Sequence, residues 1–142
     1  MQWKCLLSTR VFATLSLVLF FAMVPQPCSA QGSGVYVNRI EINSPWTGFY
    51  NGHGVQYSAK AVVHSTAPES LRGATVQFIF FDGVGPRETF NVPLPVLQAG
   101  GTLVVESPSW WDYSRADIGV TVNVIGQGGN TPLTTRKLGL PK

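Results

Sequence analysis

The stretch Gly73–Gly83, Gly-Ala-Thr-Val-Gln-Phe-Ile-Phe-Phe-Asp-Gly, limits what this chain can fold into more than any other feature. A run rich in β-branched and aromatic side chains, closed by glycine at both ends, has the composition of a strand. Alternation puts Val76, Phe78 and Phe80 on one face and Thr75, Gln77, Ile79 and Phe81 on the other. Both faces carry large apolar groups, so the run belongs inside an antiparallel sheet and not at its rim.

The flanking sequence supplies neighbours for it. Val35–Asn43 reads as a strand whose apolar phase slips from Val35 and Val37 to Ile40 and Ile42, which predicts a bulge near Asn38 and Arg39. Val55–His64 alternates, with Val55, Tyr57, Ala59, Ala61 and Val63 inward. Glu88–Val92 is followed by Pro93 and Pro95, which lack the amide a ladder needs, so it is an edge strand. Thr102–Glu106, Ile118–Ile125 and Leu133–Leu138 complete seven strands, and no ten-residue stretch beyond residue 30 has a helical period. The expected fold is all-β: a seven-stranded antiparallel β-sandwich of the immunoglobulin-like or fibronectin-III-like kind. Strands one, two and five form one sheet, and three, four, six and seven the other.

Residues 1–30 are set apart as a signal peptide, with residues 31–142 as one domain. Lys4 and Arg10 precede the apolar run Val11–Val24, and Pro25-Gln-Pro-Cys-Ser-Ala30 ends on the small residues a signal peptidase reads. The apolar run falls short of the about 20 residues a membrane helix needs, so no membrane span is expected once it is cleaved. Cys28 raises lipidation as the minor alternative, since it follows Pro-Gln-Pro rather than an apolar residue and small ones. Cys5 and Cys28 are the chain's two cysteines. Their removal leaves no disulfide, which suits a bacterial protein exported to the periplasm or outside the cell.

Lys4 and Arg10 also account for two of the three net positive charges. Among the rest, Lys60, Arg72, Arg87, Arg115, Arg136 and Lys137 are scattered, with no stripe to follow a phosphate backbone. Nucleic acid is not an expected partner.

Leu97-Gln-Ala-Gly-Gly-Thr102, the alternating strand after it and the later run Val120-Thr-Val-Asn-Val124 resemble the cell-adhesion-related domain found in bacteria (CARDB). The resemblance extends over about Val35 to Leu138. It implies an extracytoplasmic, non-enzymatic adhesion or binding module and supplies no catalytic residue.

Two loops are unusually aromatic. Trp46, Phe49 and Tyr50 lie between strands one and two, and Trp110, Trp111 and Tyr113 between strands five and six. The expected topology brings both loops to one pole. There the rings either stack on a sugar or anchor a protein partner, or they cap the open end of the core. Ile79 and Phe81, with Ile125 on the same outer face, form a second candidate surface, for a homo-oligomer or another protein; burial beneath Pro93–Leu97 is the alternative.

Catalysis finds no footing. His53 and His64 stand at no recognised spacing from a serine or acid, and Gly-x-Ser-x-Gly is absent. Asp82, Asp112 and Asp117 would have to converge to hold calcium, so neither metal nor cofactor is expected. Protein contact is the leading functional expectation, and carbohydrate binding through Trp46, Trp110, Trp111 and Tyr113 the alternative.

Overall fold

β3, Thr75–Phe81, sits between β4, Pro86–Pro93, and β7, Gly119–Ile125, with β8, Pro132–Leu138, beyond β7. Every pairing in this sheet is antiparallel. The facing sheet has the order β1, Val35–Asn43; β2, Val55–Ser65; β5, Thr102–Glu106. This is the two-layer β-sandwich the alternation patterns call for, in the expected division of strands. The computed structural model describes residues 33–44, 54–113 and 117–139, all within one compact unit, Gly32–Lys142. The leader read over residues 1–30, and the candidates Trp46, Phe49 and Tyr50, lie outside the described residues.

Side-chain parity explains the layers. Val76, Phe78 and Phe80 of β3 are fully buried, as are Val120, Val122 and Val124 of β7 and Ala59, Ala61 and Val63 of β2. Their neighbours in sequence point out. In β1 the register shifts between Val37 and Arg39, and this extra residue keeps Val35 and Val37 on the same buried side as Ile40. Arg136 of β8 donates from Nη1 to the carbonyls of Val37, at 2.9 Å, and Asn38, so a charged side chain serves backbone acceptors at the bulge.

β4 is the edge its prolines require. Beyond it, Pro93–Leu97 turns into the core: Leu94 N–H donates to Ala74 O, and Leu71 and Leu97 exchange backbone hydrogen bonds of 2.8 and 3.0 Å. Leu94 and Leu97 are buried.

One expectation is corrected. The described residues contain eight strands rather than seven, because Trp110–Asp112 forms a short strand, β6, paired with the start of β2. Three residues are too few to show a period, so a strand inside a Pro- and Ser-rich loop leaves no pattern to detect.

Candidate functional site

β6 decides what the aromatic pole can do. It lies antiparallel to β2 with Tyr57 opposite Trp110, Gln56 opposite Trp111 and Val55 opposite Asp112. Alternation along β6 then sends Trp110 and Asp112 to one side and Trp111 and Tyr113 to the other.

The inward side closes the core. Trp110 is half-buried, with its ring centroid 5.7 Å from Tyr57 and 5.6 Å from Phe80. Phe80 in turn meets Phe90 edge-on at 6.1 Å. Trp110 Nε1 is buried and has no hydrogen-bond partner among the described residues. Its ring belongs to the packing of the sandwich.

The outward side is wet. Trp111 is 44% exposed and Tyr113 70%. Tyr113 is held over Gly54: a β-carbon built there would stand 2.8 Å from Tyr113 Cδ1 and 2.4 Å from Asp112 O. Only glycine lets β2 and β6 approach this closely. Two aromatic rings on one side of a strand, two residues apart, are separated by about 7 Å along it.

Next to Gln56, a cleft of about 590 Å³ is lined by Asn43, Gln56, Tyr57, Ser58 and Ser109, with Ile42 as an apolar wall. Asn43 faces Ser58 in the β1–β2 register, and Gln56 and Ser58 share a face of β2. Amide and hydroxyl groups thus line the cleft, and one of them, Gln56, is the strand partner of Trp111. A second cleft, about 440 Å³, shares Ile42, Ser44 and Tyr57 and adds Asp117. Burial pushes the Tyr57 hydroxyl above its ordinary pKa, and the carboxylates of Asp112 and Asp117 add to this by opposing a second negative charge.

The three aspartates do not converge on one point. Among the described residues no group of three His, Cys, Asp or Glu side chains could hold a metal. Asp82 instead fixes the β3–β4 hairpin: Oδ1 accepts from Val84 N–H at 2.7 Å and Gly85 N–H at 2.9 Å, and Oδ2 pairs with Arg87. The backbone donors hold its carboxyl below the usual range, and Arg87 adds to them against the opposing effect of burial. Val84 is left 95% exposed at the tip.

Ile79 and Phe81 are half-buried on the outer face of β3. Along β4 they stand opposite Thr89 and Pro86, while Pro93 pairs with Thr75 and Leu94 and Leu97 beyond it enter the core. Lys137 Nζ lies 4.2 Å above the Phe81 ring, and that ring packs where a Gly119 side chain would be. Ile125 pairs with Thr75, four residues along β3 from Ile79. Between them runs a polar ladder that sequence reasoning missed. Thr135 Oγ1 donates to Asn123 Oδ1 at 2.8 Å, Asn123 Nδ2 to Gln77 Oε1 at 3.0 Å, and Gln77 Nε2 to Asn91 Oδ1 at 3.1 Å. The signal for it was three amide residues at outward positions of separate strands, which only the register could align.

No protein-family model and no curated protein matches the sequence. Solved structures of similar fold include β-glucuronidase 2 of Bacteroides uniformis covalently bound to cyclophellitol-6-carboxylate aziridine, at a TM-score of 0.58 and 15% identity over 73% of this chain. A putative β-galactosidase from Bacteroides fragilis is similar at a TM-score of 0.52 and 13% identity over 77% of the chain. The chain spans 14% and 16% of those two proteins. At these identities the likeness establishes the β-sandwich and nothing finer.

Proposed function

We propose that this chain is an exported, non-enzymatic β-sandwich module that recognises carbohydrate at its aromatic pole. The carrying observation is that Trp111 stands exposed on β6 opposite Gln56, and that Gln56 in turn lines a cleft together with Asn43, Ser58 and Ser109. Sugar rings present apolar C–H faces and a rim of hydroxyls; a flat aromatic beside amide and hydroxyl side chains offers a partner for each. Tyr113, on the same side of the strand, extends the platform for a second ring. The similar folds occur within proteins named for glycosidase activity, which is in keeping with this reading. No residue here is assigned a catalytic role.

Affinity electrophoresis through gels containing soluble β-glucan, xylan, mannan or polyuronate tests the proposal. One of these polymers should retard the protein, and Trp111→Ala should abolish the retardation while leaving the melting temperature in place. Failure of every polymer to retard the protein, or retardation unaffected by Trp111→Ala, would refute it. Contact with a protein, in the manner of an adhesion module, is the second reading. Val84 favours it: a valine standing free on a hairpin that Asp82 and Arg87 hold rigid is a ready anchor.

A further inference from the structure

We propose that the outer edge of β5 pairs with the same edge of a second copy, joining the two β1–β2–β5 sheets across a two-fold axis at Val104. This dimer stands independently of the carbohydrate reading.

The other edges are guarded against such pairing. β4 begins and ends with Pro86 and Pro93 and carries Arg87 and Glu88. β1 is interrupted by its bulge, where Arg136 occupies the carbonyls of Val37 and Asn38. β8 carries Pro132, Arg136 and Lys137. Proline, bulges and positive charge are the usual means of keeping an edge from recruiting another strand. β5 is Thr-Leu-Val-Val-Glu, with no proline, lysine or bulge. Its Val104 is 64% exposed.

The backbone parity of β5 can be worked out. Ser107 N–H donates to Ala59 O at 2.8 Å and Ser65 N–H to Gly101 O at 3.0 Å. Both lie directly opposite one another in the register that pairs Lys60 with Glu106 and His64 with Thr102. In an antiparallel ladder the hydrogen-bonded pairs recur every second residue, so Leu103 and Val105 also turn their backbone groups to β2. Thr102, Val104 and Glu106 therefore direct theirs to the outer edge. Among the described residues, no backbone hydrogen bond to these three comes from outside the β2 pairing.

The strand is complementary to itself about its middle. A two-fold at Val104 sets that residue against Val104 of the second copy, and Thr102 against Glu106 of the second copy. Three pairs, each exchanging two backbone hydrogen bonds, give about six. Charges also agree. Glu106 is 3.6 Å from Lys60, and Thr102 is hydrogen-bonded to His64 Nδ1 at 2.9 Å. Across the seam each row reads lysine, glutamate, threonine, histidine, with no like charges opposed.

Sedimentation equilibrium and amide exchange on the purified protein test the dimer. At about 100 µM the mass should approach twice that of one chain and fall to one chain on dilution, as suits a small interface. The amides of Thr102, Val104 and Glu106 should exchange roughly tenfold more slowly in the concentrated sample than in the dilute one. Those of Leu103 and Val105 should be protected in both. Val104→Lys, which opposes two cations on the axis and spares the β2 bonds, should leave a folded single chain at every concentration. Should that variant unfold, Val104→Pro removes only the outward N–H, and the wild-type exchange comparison decides by itself. A single-chain mass throughout, or a dimer in which these three amides exchange as fast as in the dilute sample, would overturn the proposal.

Discussion

Trp110 and Trp111 are adjacent in sequence and opposite in circumstance. The first stacks between Tyr57 and Phe80 and completes the core, while the second stands in solvent opposite Gln56. Residue type is the same, so strand parity alone separates them. An aromatic loop is therefore not uniform: pairing with β2 turns one ring of β6 into the core and leaves the next in solvent.

The comparison can be broken most forcefully at its inner member. Trp110→Ala should cost about 3 kcal/mol, lowering the melting temperature by roughly 10 °C or more. Trp110→Phe keeps the contacts with Tyr57 and Phe80 and removes the buried Nε1, which has no partner among the described residues, so it should fall within about 1 kcal/mol of the parent. A large loss from Phe as well as Ala would mean that the indole itself, not the ring contact, is what the site needs.

Next in size is the approach of the two strands. Gly54→Val should destabilise the fold by about 2 kcal/mol, because its side chain would run into Asp112 O and Tyr113. The same variant should detach β6 from β2, seen as loss of amide protection at Trp111 and Asp112. Protection retained there would show that β6 does not depend on this glycine.

Two titrations come next, one at the β3–β4 hairpin and one at Tyr57. The Asp82 carboxyl is held low in the folded state, so its contribution is complete above the unfolded value of about 4 and is lost as pH falls below that value. Acid unfolding of Asp82→Asn should lack this component. Tyr57 is shifted the other way: its neutral form is favoured in the fold, so stability is full below about pH 10 and declines as pH rises past it. Tyr57→Phe should flatten that alkaline decline, and an unchanged profile would deny the combined effect of burial and of the Asp112 and Asp117 carboxylates.

Smallest is the effect of the outer member on stability. Trp111→Ala should change unfolding free energy by no more than about 0.5 kcal/mol, as an exposed side chain outside the core. A loss comparable to that of Trp110→Ala would erase the distinction between the two tryptophans.

Much of the framework was legible in residue order because it follows from a period of two. The alternation of Val76, Phe78 and Phe80, the phase slip after Val37 and the prolines beside Val92 each correspond to a physical necessity: burial, a bulge and a missing amide. The division of strands between sheets came instead from the sandwich topology that such a set of strands implies. What stayed hidden depended on contacts between distant segments. Trp110 and Trp111 could be located in a loop but not told apart, since their parity comes from pairing with Gln56 and Tyr57. The ladder from Thr135 to Asn91 likewise exists only through register across four strands.

The most direct test of recognition at the outer face is an NMR titration that follows the tryptophan indole N–H signals and the tyrosine ring signals while the retarding glycan, cut to soluble oligosaccharides, is added. Trp111 should shift progressively with Tyr113 while Trp110 stays in place. Saturating oligosaccharide that moves neither Trp111 nor Tyr113, or that moves Trp110 alone, would contradict the account.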